Sequence, residues 1–103
     1  MSFTLTLDDA LGERSFTAQE FPLSLGGTGS TIVLAGGFDG PAAWCGLHEE
    51  TLFLQPAEGV ELNHNGIAAR SSVWLKPGDV VALGAARLRL ASRDGRLVLS
   101  VED

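Results

Sequence analysis

Apolar and polar positions alternate with a period of two along much of the chain. In FTLTL, Phe3, Leu5 and Leu7 alternate with Thr4 and Thr6. RLRLAS and RLVLSVE place Leu88 and Leu90, then Leu97, Leu99 and Val101, on single faces. Such spacing collects apolar side chains on one side of an extended backbone and predicts half-buried strands rather than helices. Shorter runs predict further strands over 15–18, 21–25, 31–34, 51–55, 60–63, 72–75 and 80–83. Between the runs lie turn-forming clusters: DDALGE, GGTGS, GGFDGP, PAEG, NHNG, KPGD and SRDGR. In the last of these, Asp94-Gly95 supplies the positive backbone angles of a tight hairpin, so the final two strands should pair antiparallel. No segment carries a clear helical stripe; GPAAWCGLHEE comes nearest and is interrupted by Gly40 and Gly46. About ten short strands separated by regular turns predict an all-β sandwich, a single domain over 1–103.

Composition narrows the function classes. With 13 acidic residues against 7 basic ones the formal charge is -6, and Lys76 is the only lysine. A chain so charged repels a polyanion, so no nucleic acid is expected as a partner. No run reaches the roughly 18 apolar residues of a membrane span, which argues against direct membrane insertion. The start, MSFTLTLDD, lacks the basic and apolar regions of a secretory signal, so a cytoplasmic domain is expected. Cys45 is the single cysteine and forms no internal disulfide, leaving the core alone to hold the fold.

The glycine-rich stretch Gly26-Gly27-Thr28-Gly29-Ser30 lies between two apolar runs, where phosphate-binding loops often occur. A P-loop requires a lysine and a hydroxyl after its last glycine and a helix whose first amides face the anion. Here Ser30-Thr31-Ile32-Val33-Leu34 follows, with no lysine and a strand pattern, and the third glycine of a dinucleotide fingerprint is missing. Neither nucleotide motif is present.

From Val60 onward the order of motifs resembles the forkhead-associated (FHA) domain family. NHNG ends in an asparagine-glycine turn, and LKPGDVVALG, Leu75 to Gly84, is similar to the family's leucine-x-x-glycine-aspartate turn and the strand after it. Upstream, SLGG resembles the end of a strand that in the family closes with isoleucine-glycine-arginine. STIVLAG resembles the buried strand that follows, and CGLH matches the serine-x-x-histidine loop in its histidine. The resemblance covers most of the chain and implies an FHA-like (SMAD/FHA-type) β-sandwich of ten to eleven mostly antiparallel strands. It also implies recognition of phosphothreonine peptides by loops at one end. His48 would order those loops. In the family, an arginine after the first loop glycine and the serine of the histidine loop contact the phosphate, because a dianion needs charged and hydroxyl donors to offset its desolvation. Those positions are Gly27 and Cys45 here.

The expectation is therefore a non-catalytic protein-interaction or scaffold module that has lost phosphate recognition. Its partner would be another protein or peptide, engaged by Gly26, Gly27, Thr28 and Ser30, by Trp44, Cys45 and His48, and by Asn65 and Gly66. Family analogy places such degenerate domains in larger signalling, secretion or membrane-associated assemblies. The alternative is a phosphothreonine reader in which Thr28, Ser30 and loop amides act with Arg70 brought from a neighbouring loop.

A third reading, a small thiol or metal enzyme, would use Cys45 and His48. A structural zinc site, however, needs four ligands at recognisable spacing, and this chain offers only Cys45, His48 and His64 as soft ligands. No cofactor is expected. Asp8-Asp9 and Glu49-Glu50 read as solvated turn charges, and Asp79 as the cap of its own turn. Trp74 is expected in the core. Trp44 is also expected there, with a docking anchor in the recognition loop as its alternative.

Overall fold

A computed structural model describes residues 3–102; Met1 and Ser2, part of the stretch read for a signal, and Asp103 lie outside the described residues. The described residues form twelve strands in two sheets, most of them from the period-two segments. They are β1 (Thr4–Asp9), β2 (Gly12–Thr17), β3 (Leu23–Gly26), β4 (Ile32–Val33), β5 (Pro41–His48), β6 (Thr51–Pro56), β7 (Leu62–His64), β8 (Ile67–Ala69), β9 (Val73–Trp74), β10 (Val80–Leu83), β11 (Ala86–Arg93) and β12 (Arg96–Glu102). One 3-10 turn, Ala18–Glu20, joins β2 to β3. Among the described residues no helix is long and apolar enough to cross a membrane.

The seven-stranded sheet runs β2-β1-β12-β11-β10-β7-β8, and the five-stranded sheet β4-β3-β5-β6-β9. Only β1 with β12 and β3 with β4 pair in parallel. Leu5, Leu7, Leu88, Leu90 and Leu99 of the first sheet and Leu23, Leu25, Cys45, Leu52 and Leu54 of the second belong to one buried cluster. The two sheets therefore share a single core, as in a β-sandwich.

Twelve strands replace the expected ten to eleven because β5 and β8 carry no alternation. PAAWCGLH is small or apolar almost throughout, and IAA is only three residues long. The β5–β6 hairpin is also closed by an unusual pair. Glu49 and Glu50 both hold positive φ, 48° and 65°, between the paired residues His48 and Thr51. Two left-handed central residues are the mark of a type I′ turn, a place normally given to asparagine and glycine. Asn65-Gly66 and Asp94-Gly95 make the same kind of turn with the usual residues.

Two turns distant in sequence are fastened together by Asp79, which is 5% exposed. Its carboxylate accepts from the Lys76 amide at 3.1 Å, from Asn65 Nδ2 at 3.0 Å and from His64 Nε2 at 2.9 Å. An ionised carboxylate only accepts, so His64 carries its hydrogen on Nε2. Asn65 Oδ1 in turn accepts from the Val80 amide at 2.8 Å. Burial alone would raise the pKa of Asp79; the hydrogen bonds from His64, Asn65 and Lys76, with the charge of His64, outweigh it and hold the pKa below the ordinary value.

A carboxyl whose folded pKa is depressed stabilises the fold fully above its unfolded pKa, and that contribution disappears as the pH falls through the folded value. Asp79→Ala should accordingly cost about 1.5–3 kcal/mol at neutral pH, the range for hydrogen bonds to a charged group. In denaturant unfolding the gap between variant and parent should close as the solution is acidified below the usual aspartate range. A gap that is absent at neutral pH, or unchanged in strong acid, contradicts this role.

Candidate functional site

The three stretches expected to form one partner-binding end are separated. β3 runs toward Gly26, which pairs with Pro41 at the start of β5, while Cys45 pairs with Leu23 and His48 lies three residues beyond. The glycine loop and His48 thus lie toward opposite ends of the five-stranded sheet. Asn65 and Gly66 are elsewhere again. His64 pairs with Val81 near the start of β10, whereas Phe38, beside the glycine loop, packs against Gly84 just past the end of β10.

At the glycine loop, the Gly27 amide donates to the Gly40 carbonyl at 2.8 Å and the Ser30 amide to the Gly27 carbonyl at 3.1 Å. A Cβ on residue 27 would stand 2.1 Å from the Phe38 carbonyl oxygen. No side chain, cationic or otherwise, has room at residue 27. Thr28 is exposed, and Ser30 is 9% exposed with its Oγ unpartnered. Arg70, expected to swing toward the loop, is held by Glu61 at 3.1 Å.

The guanidinium that does lie beside the loop is Arg14 of β2. Its Nη1 reaches the Thr31 carbonyl at 3.4 Å, and it stacks 5.7 Å from the centre of the Phe16 ring. Asp9 accepts from Arg14 Nη2 at 3.1 Å and cancels its charge. Sequence reasoning missed Arg14 because the β1–β2 hairpin, not proximity in sequence, carries it there; the pairing of Leu7 with Arg14 fixes its place.

Cys45 and His48 do not meet. Their odd spacing in a strand sends them to opposite faces: Cys45 is fully buried in the core and His48 is exposed. Desolvation pushes the thiol pKa up to about 12, which leaves it protonated and unreactive at neutral pH. His48, expected to order the recognition loops, instead ends β5, exposed, with Glu49 Oε2 4.0 Å from its Nε2. Among the described residues no three histidine, cysteine or acidic side chains gather in a way that would hold a metal ion.

The outer face of the five-stranded sheet carries a different cluster. Trp44 lies in strand β5 rather than in a loop, half-buried, and shares this face with His48, with Phe53 of β6 and with Trp74 of β9. Gly46 makes the arrangement possible: a Cβ there would stand 2.1 Å from Cζ of Phe53, so the ring lies flat across the bare glycine. Phe53 meets Trp74 edge-on at 5.7 Å and 70°, and His48 is 6.1 Å from Trp74. Trp74, expected in the core, is 57% exposed. Its strand of two residues is too short for alternation to reveal which way it faces.

Two clefts flank the Phe53 ring. One, of about 370 Å³, runs among His48, Phe53, Ser72, Val73 and Trp74. The other, of about 670 Å³, is bounded by Phe21, Pro22, Trp44 and Phe53, with Glu49 and Glu50 at its rim. The remaining large exposed apolar side chains are Leu11, Val33 and Ile67. They sit on the β1–β2 turn, on β4 and on β8 respectively, away from the aromatic cluster. Comparison with family models, curated proteins and solved structures finds no match to this chain.

Two measurements check this geometry. Alkylation of Cys45 by iodoacetamide should be slow in the folded protein and rapid once it is unfolded; fast labelling of the native chain would show an accessible thiolate. Gly27→Ala should destabilise by about 1–3 kcal/mol, the range for overpacking, because backbone rather than side-chain atoms must yield. Thr28→Ala, on the exposed part of the same loop, should change stability by no more than about 0.5 kcal/mol. Equal costs for the two would contradict the crowding at residue 27.

Proposed function

We propose that this chain is a non-catalytic protein-interaction or scaffold module, an FHA-like sandwich that no longer reads phosphate and docks its partner on the aromatic outer face of the five-stranded sheet. The exposed Trp74, braced edge-on by Phe53 over Gly46, carries this reading. Aromatic side chains held rigid before contact lose little entropy on binding and are enriched among residues that dominate interface energies. On family analogy alone, the module belongs to the cytoplasmic part of a larger signalling, secretion or membrane-associated assembly.

Loss of phosphate recognition is supported by charge balance at the glycine loop. A doubly charged ester must be repaid for its hydration by cationic donors. The carbonyl of Phe38 fills the space a side chain at residue 27 would need, and Arg14 and Arg70 are both occupied by carboxylates. A phosphothreonine-reading alternative has one observation in its favour: Arg14 Nε and Ser30 Oγ are buried near this loop without partners. Asp9, 3.1 Å from the same guanidinium, opposes it by presenting negative charge to any incoming anion.

Titration with a phosphothreonine peptide and its unphosphorylated twin, followed by amide shifts, separates the two. The module reading predicts that the amides of residues 26–31 respond to neither peptide. A phosphate-dependent, saturable shift confined to those amides would make the chain a phosphopeptide reader.

A further inference from the structure

We infer that the larger cleft of the aromatic face is a receptor for a basic segment of the partner protein, an extended stretch that inserts an arginine or lysine side chain between Trp44 and the Glu49–Glu50 turn; this assignment rests on the docking reading of that face. The cleft, of about 670 Å³, has aromatic and proline walls in Phe21, Pro22, Trp44 and Phe53 and two carboxylates at one end. Aromatic faces are electron-rich and attract a guanidinium or ammonium, while the aliphatic stem of the same side chain packs on apolar walls. Carboxylates at the rim then receive the charged head.

The charge available at this rim is not already spent. Glu50 has no ion-pair partner among the described residues, and the only one for Glu49 is His48 at 4.0 Å, both side chains being largely exposed. Elsewhere the arginine–carboxylate pairs are Arg14–Asp9, Arg70–Glu61 and Arg93–Glu13, all outside the cleft. The chain as a whole carries -6, which adds to the attraction for a cationic segment and to the repulsion of an acidic one. The two-residue turn also holds the carboxylate-bearing residues at adjacent left-handed positions, so both project from one tight hairpin.

The test uses the whole chain and a short peptide alternating arginine and serine, with a glutamate–serine peptide and a neutral phenylalanine–serine peptide as comparisons. The arginine peptide should shift the amides of Phe21, 44–47 and 49–55 saturably, and the glutamate peptide should not. Glu49→Lys with Glu50→Lys should weaken arginine-peptide binding by about tenfold or more, whereas Glu58→Lys with Glu102→Lys, an equal change in net charge away from the cleft, should weaken it by less than about threefold. Thermal unfolding of both double variants checks that each remains folded.

Failure of the arginine peptide while the phenylalanine peptide shifts the same amides would overturn the basic-segment assignment and leave the docking face standing. If no peptide shifts them, the docking face is overturned too. Equal weakening by the two double variants would reduce the effect to net charge and overturn the cleft as its source. Shifts that grow with protein concentration alone would assign the face to a second copy of this chain and overturn the assignment.

Discussion

The register of β5 between β3 and β6 is the constraint on which the rest of the surface depends. Side chains of a strand alternate, so burying Ala43 and Cys45 between the sheets obliges Trp44, Gly46 and His48 to face out. A slip of one residue would drive Trp44 into a core already filled by leucines and bring the thiol to the surface. Opposite β5, the pairs Cys45–Leu54 and Gly46–Phe53 repeat the same division, leucine inward and phenylalanine outward. The aromatic face is therefore a by-product of core packing in its position, though not in its composition: core packing places no demand on residues 53 and 74 to be aromatic.

The two ends of the molecule divide their work accordingly. At the glycine loop, backbone meets backbone, with Gly27 pressed on Phe38 and hydrogen-bonded to Gly40, and Arg14, the guanidinium beside it, is neutralised by Asp9. Rigidity with little net charge suits a structural corner. At the other end of β5, an exposed histidine, two exposed glutamates and two tryptophans surround clefts on either side of one phenylalanine ring. The long hydrogen-bonded bridge through Asp79 holds the β7–β8 turn to the start of β10, so that the seven-stranded sheet offers a firm base beneath the five-stranded one.

Much of the fold could be read from the sequence because alternation is a direct consequence of burial on one face. The first and last strands and the Asp94-Gly95 hairpin were legible for that reason. β5 was not, since a strand that is small or apolar at nearly every position has no period; Glu49-Glu50 reads as solvated turn charges, but without the asparagine or glycine that marks the close of a hairpin. That single omission misplaced the candidate site. Once CGLH is a strand rather than a loop, its histidine and cysteine part company, and Trp44 moves from a recognition loop to a sheet face. Arg14 was invisible for another reason: it reaches the glycine loop across a sheet, a relation that only the strand pairing reveals. The turns around Asn65 and Asp79, read separately in the sequence, are joined by the structure in one hydrogen-bonded network.

The most direct test of this account is the proton spectrum of Gly46. Phe53 lying across that glycine places the Gly46 α-protons under the ring current, so they should be shifted strongly upfield and show cross-relaxation with the Phe53 ring, while Cys45 shows cross-relaxation with Leu23 and Leu54. Gly46 α-protons at ordinary positions, with the Phe53 ring instead close to the methyls of Leu23 and Leu25, would mean the opposite register, and the aromatic face would not exist.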